Sequence, residues 1–161
     1  MRRFTKYIVV HCSATKSNAD IGLDEIDDWH TARGWNGCGY HAVIRRSGLI
    51  EYGRHFDRPG AHVKGFNTRS VGICMVGGVD HEGKGENNFT ADQFVSLKLL
   101  LIVMKRSYPN AEILGHRDLS PDLDGDGIVE EHEWLKECPS FDVRRWMKSW
   151  QQSETGSETS G

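Results

Sequence analysis

The sequence predicts a single α/β domain, a β-sheet with helices packed against it. Three observations carry that expectation. The chain has 161 residues, the size of one ordinary domain. Short β-branched runs recur at 7–10, 71–76 and 111–114, too brief for helices and bounded by turn residues. Between them lie segments whose apolar residues repeat at helical spacing, and strands interspersed with helices imply helices layered on a sheet.

The elements follow in order. The first strand covers 7–10 and leads into His11, and residues 13–20 are polar and loop-like. Leu23, Ile26 and Trp29 or His30 then share a helical face, Asp24 and Glu25 suit the positive N-terminal end, and Gly34 stops the helix. A strand over 40–44 follows Gly37 and Gly39 and turns at Ser47 and Gly48 into 49–52 as a hairpin. Residues 53–69 are rich in Gly, His and Arg and lack periodicity, and a loop that long in a compact domain is usually functional. The next strand, 71–76, closes at Gly77 and Gly78. Thr90 caps the following helix, Gln93 completes a capping box, and Phe89 staples onto Phe94. Phe94, Leu97, Leu101 and Met104 mark its buried face, with Pro109 beyond its end. A strand over 111–114 leads to His116, and Val143, Trp146 and Trp150 share one face of a last helix starting near Ser140. Residues 151–161, rich in Ser, Thr, Gly and Glu, are expected to be a disordered tail, leaving 1–150 as the folded domain.

No apolar run approaches the ~18 residues that span a bilayer, so no membrane segment is expected. Met1, Arg2 and Arg3 resemble the start of a signal segment, but the apolar stretch that follows ends at Val10, too short for a secretory core. The protein is therefore expected to remain cytoplasmic until released or exported. The formal net charge of −3 conceals a split. Residues 122–133 hold six acids and no Lys or Arg, and the tail holds Glu154 and Glu158, leaving 20 basic against 15 acidic residues elsewhere. Those basic residues are scattered, not clustered, which argues against a nucleic-acid binder. The four cysteines, Cys12, Cys38, Cys74 and Cys138, contain no CxxC pair and are expected to be reduced. Any metal site must be assembled from distant positions.

Two metal sites suggest themselves. Residues 122–133 fit the EF-hand calcium loop at every diagnostic position. Asp122, Asp124 and Asp126 present carboxylates, Gly127 permits the sharp turn, Ile128 offers its carbonyl, Glu130 a direct or water-mediated contact, and Glu133 both oxygens. The competing reading is a solvated acidic loop. Pro121 directly before it argues against an entering helix, so a structural calcium clip fits better than a sensor. The second candidate is His11, His116 and Cys138. Two neighbouring strand ends could bring the histidines to one sheet edge, and Cys138 lies at a bend before Pro139. Two His and one Cys leave a fourth tetrahedral position for water, as catalytic zinc requires. Spacing alone leaves open that each is an ordinary packed residue.

Six segments run in the order of one known family over about residues 5–150: His11 to Lys16, Gly39-Tyr40-His41, His62 to Asn67, Val71 to Gly78, Gly115 to Asp118, and Lys136 to Asp142. Together they resemble the zinc-dependent N-acetylmuramoyl-L-alanine amidases, which include phage lysozymes of the amidase kind and the peptidoglycan-recognition proteins. The resemblance implies a central mixed β-sheet flanked by helices; the calcium-like loop between His116 and Cys138 is an insert that departs from the shorter phage members, where those two positions are closer together. It implies that His11, His116 and Cys138 bind zinc and that Tyr40 and Lys136 occupy catalytic positions. The implied substrate is bacterial peptidoglycan, cut at the amide between N-acetylmuramic acid and L-alanine; the protein itself is expected to be a monomer. His62 and Asn67 match a loop beside the family's cleft, which suggests substrate contact, with turn stabilisation as the competing reading. A non-catalytic peptidoglycan-binding protein on the same scaffold is the alternative, and the retained Cys138 argues against it.

Overall fold

The computed structural model describes residues 4–155, the side chains of 151–155 excepted. Strand β1 (Tyr7–Cys12) is an interior strand of the sheet, hydrogen-bonded in parallel to β4 (Ser70–Met75) on one side and β5 (Glu112–Gly115) on the other. Covered on both faces, it reads as an unbroken apolar run instead of an alternating one. β2 (Ala42–Ile44) lies parallel to β4, and β3 (Ile50–Tyr52) closes the expected hairpin antiparallel to β2. The resulting order is β3-β2-β4-β1-β5, a mixed five-stranded sheet.

The two faces carry separate cores. Ile8, Val10, Val71, Ile73 and Met75 pack with Leu97, Leu100, Leu101 and Met104 of α2 (Ala91–Ser107) and with Val143 of α3 (Val143–Thr155). On the opposite face Val43, Cys74 and Val76 meet Ile26 of α1 (Leu23–Ala32). His11 is out of phase with Ile8 and Val10, so strand alternation directs it to the α1 side. In α1 it is His30 that is buried, while Trp29 remains 42% exposed.

Thr90 and Gln93 form the expected box: Gln93 N–H donates to Thr90 Oγ1 at 3.1 Å and Thr90 N–H donates to Gln93 Oε1 at 3.0 Å. Phe89 and Phe94 meet edge to face at 6.1 Å. Gln93 does more than close the box. It is fully buried, and its Nε2 donates to the carbonyls of Ile44 and Val76 at 3.1 and 2.9 Å, tying α2 to two strand ends.

Several boundaries differ from expectation. The strand expected over 40–44 begins at Ala42, with Tyr40 and His41 just before it. The last helix starts at Val143, not near Ser140, because Ser140 has a positive φ of 72° that no helix accommodates. That helix continues to Thr155, so the tail expected from 151 is corrected for 151–155, and residues 156–161 lie outside the described residues. The long loop over 53–69 contains one 3-10 turn, Asn67–Arg69. It is pinned by Arg54, whose guanidinium donates to the carbonyls of Cys38, Pro59 and Asn36 at 2.8, 3.0 and 3.3 Å. The acidic loop is preceded by a 3-10 turn, His116–Leu119, and its own last residues form another, Glu131–Glu133, so no α-helix leads into it, as Pro121 foreshadowed.

Candidate active site

Because β1 and β5 are parallel neighbours with Val10 opposite Gly115, the next residues, His11 and His116, emerge side by side at the sheet's C-terminal edge. Their rings lie 4.7 Å apart. Cys138 reaches the same point from the segment after the acidic loop. It is held there by Arg117 N–H donating to its carbonyl at 2.8 Å and Cys12 N–H donating to its sulfur at 3.2 Å. His11 Nδ1 is 3.8 Å from Cys138 Sγ, and one donor atom from each of His11, His116 and Cys138 lies within 4.8 Å of the others. A tetrahedral ion with Zn–S of ~2.3 Å and Zn–N of ~2.0 Å would set its sulfur and nitrogen ligands about 3.6 Å apart. The donor set therefore fits zinc in chemistry and in spacing.

The electrostatics agree. Burial holds the His11 imidazole well below its ordinary pKa of 6.5, reinforced by His62, His116, Lys136 and His41. Burial, then the Lys136 charge, brings His116 down to about 4. Both rings are neutral at pH 7, the state in which an imidazole binds metal. Burial first, then Cys12, pushes the Cys138 thiol well up in the absence of a cation, so metal binding there must expel a proton. Tyr40 touches the same group, its ring 5.2 Å from that of His11. Burial and the neighbouring thiols raise its hydroxyl well above 10, so it is a hydrogen-bond donor at neutral pH.

These residues floor a cleft of about 220 Å³ whose lining includes Lys136, with Trp29, Arg33 and Trp35 on the α1 side. The N-acetylmuramoyl-L-alanine amidase family profile matches residues 1–139. The chain belongs to that family. It is 45% identical to the endolysin of Enterobacteria phage K11 over 148 residues, 92% of this chain and 89% of that one. It is 40% identical to the endolysin of Escherichia phage T7 over 153 residues, 95% of this chain and 90% of the relative. Among solved structures it resembles N-acetylmuramoyl-L-alanine amidase LysC from Clostridium intestinale URNW with a TM-score of 0.70 and 27% identity, covering 92% of this chain and 85% of that one.

Within this amidase domain the other anticipated residues divide. His62 lines the cleft but is 9% exposed, its ring turned onto His11. Asn67 is absent from the lining. Its Oδ1 accepts the N–H groups of His62 and Val63 at 2.8 and 3.0 Å, the turn-stabilising alternative. Sequence inspection missed the wall formed by Trp29, Arg33 and Trp35. A signal was available, since Trp29 and Arg33 are four residues apart and share a helix face. His41 is fully buried; its Nδ1 accepts Gly72 N–H at 3.0 Å and its Nε2 is 2.9 Å from the Arg58 carbonyl.

The acidic loop is folded on its own carboxylates. Asp122 accepts from Gly125 and Gly127 N–H at 2.7 and 2.9 Å, and Asp126 accepts from Ile128 N–H at 2.8 Å. Gly127 has a φ of 89°, the conformation its position requires. Glu133 is buried and accepts from the N–H groups of Glu130 and Leu123, which hold its carboxyl below the usual range. Oxygens of Asp122, Asp124 and Glu133 lie within 4.8 Å of one another, compatible with opposite ligands on a cation whose Ca–O bonds are ~2.4 Å. Asp126 stands outside that trio, and Glu130 groups with Asp124 and His132 instead.

Proposed function

We propose that this chain is a zinc-dependent N-acetylmuramoyl-L-alanine amidase that hydrolyses the amide joining N-acetylmuramic acid to L-alanine in bacterial peptidoglycan. The observation that carries the reading is the convergence of His11, His116 and Cys138 on the cleft floor. Zinc bound there supplies Lewis acidity that activates water and polarises the scissile carbonyl. His11 and His116 hold the ion as neutral imidazoles, and Cys138 binds as a thiolate after losing its proton. Lys136 brings a positive charge to the cleft, where it stabilises the oxyanion developing on the attacked carbonyl. Tyr40, kept protonated by its surroundings, donates a hydrogen bond to the tetrahedral intermediate. Trp29, Arg33 and Trp35 offer a wall for the glycan or stem peptide. The sheet and its helices through α3 form the catalytic unit, acting as a monomer.

Calcium is the second cofactor of this proposal, with Asp122, Asp124, Asp126, Ile128, Glu130 and Glu133 as ligands. Support comes from the EF-hand spacing and from the close approach of Asp122, Asp124 and Glu133. The clip would fix the segment leading to Lys136 and Cys138.

Zinc dependence is tested by stripping the protein with a chelator and assaying sacculi hydrolysis before and after adding zinc. Loss and restoration of activity is expected, with Cys138→Ser inactive throughout. Full turnover by the stripped protein or by that variant would exclude the assigned centre.

A further inference from the structure

His62 lies beside the metal ligands, and its ring is joined to His11 on one side and to Ser70 on the other. His11 Nε2 is 2.9 Å from His62 Nδ1, with both rings buried. On the far side His62 Nε2 is 3.4 Å from Ser70 Oγ, and the fully buried Ser70 hydroxyl donates to the Phe66 carbonyl at 2.9 Å. The direction of this chain follows from its end. A carbonyl can only accept, so the Ser70 proton is committed to Phe66. Ser70 Oγ then accepts from His62 Nε2–H, which leaves His62 Nδ1 as a lone pair. That lone pair accepts from His11 Nε2–H, so the free lone pair of His11 is on Nδ1, the nitrogen facing Cys138.

We propose that His62 is a positioning residue for the metal ligand His11, fixing its tautomer and ring plane through the chain His11–His62–Ser70–Phe66. The inference rests on the zinc reading above and replaces substrate contact as the main role of this side chain. The local sequence is shaped for the task. A Cβ at Gly72 would lie 2.6 Å from the His62 ring and one at Gly60 only 2.3 Å from it, so glycines on both sides make room for the imidazole. Asn67 fastens the backbone of the same loop by accepting His62 N–H. Partners of this kind raise the basicity of a ligating histidine and hold it for the ion, and their loss typically weakens metal binding about 10–100-fold.

The test is zinc affinity of the full chain, measured by competition with a chromophoric chelator, in wild type, His62→Ala, His62→Asn and Ser70→Ala. The thermal melts of the metal-free proteins report folding independently. His62→Ala is expected to lose about 10–100-fold in affinity. His62→Asn, whose Oδ1 can take the place of Nδ1 as acceptor, should recover most of that loss. If His62→Ala does not fold, Ser70→Ala decides, with a several-fold loss expected. Imidazole 15N spectra of the zinc-loaded wild type should show His11 protonated at Nε2. Unchanged zinc affinity in folded His62→Ala or in Ser70→Ala, or a His11 proton on Nδ1, would overturn the proposal while leaving the zinc reading intact. Failure of wild type to bind zinc would overturn both.

Discussion

Gly72→Ala is the smallest change that should disturb the metal centre from outside it. Gly72 sits in mid β4 opposite Val9, and its N–H is already given to His41 Nδ1. An alanine Cβ would lie 2.6 Å from His62 Cγ and 2.7 Å from Cδ2 and Nδ1. Carbon atoms settle at about 3.5–4.0 Å, so the ring must retreat by roughly 1 Å. The Gly60 side offers little space for that movement. The His11–His62 bond, 2.9 Å long, would lengthen by a similar amount, beyond hydrogen-bond reach. Overpacking of this kind costs about 1–3 kcal/mol, and loss of the partner should weaken zinc binding at least ~10-fold. Urea unfolding of the metal-free protein and chelator competition read the two effects separately. Stability within ~0.5 kcal/mol of wild type together with unchanged zinc affinity would refute the packing argument.

Other outcomes follow from the same structure. Gln93→Leu removes the side chain that bridges Ile44 and Val76 and strands the Thr90 N–H, so unfolding free energy should drop by ~2 kcal/mol with amidase activity retained below the melt. The metal-free protein should lose stability as pH falls from about 6.5 towards 4. His116 binds its proton in the unfolded chain near 6.5 but in the fold only at about 4, so the unfolded state takes up more protons over that interval. The shift corresponds to ~3 kcal/mol, and a flat melting temperature across this range would contradict it. Asp124→Ala should abolish a calcium-dependent rise in melting temperature that wild type shows, while its melt in calcium-free, zinc-supplied buffer changes less. Equal melts for both proteins in both buffers would exclude the calcium clip.

Much of this architecture was legible because the signals were local. The box at Thr90 and Gln93, the hairpin at Ser47 and Gly48, and the β-branched runs of β1 and β4 each declare an element within a few residues. His11 near the end of β1 and His116 just after β5 could be placed at one edge because neighbouring strand ends lie together. What escaped notice depends on distant partners. Nothing near Gln93 announces that its amide reaches two strand ends, and nothing near His62 announces a bond to His11, 51 residues away. The end of α3 was set too early because a polar composition at 151–155 resembles a tail, although the helix continues through it. Asn67 matched a family motif for a backbone reason: its side chain builds the turn that carries His62.

The central claim is that the bond broken is the one between the lactyl carbonyl of N-acetylmuramic acid and the amine of L-alanine. Purified bacterial sacculi incubated with the zinc-loaded protein test it directly when the products are labelled at free amino groups and resolved by mass spectrometry. Stem peptides with a new L-alanine amino terminus, together with glycan strands free of peptide and without new reducing ends, are the expected products. New reducing sugar ends or cleaved cross-links, with no new L-alanine termini, would contradict the account.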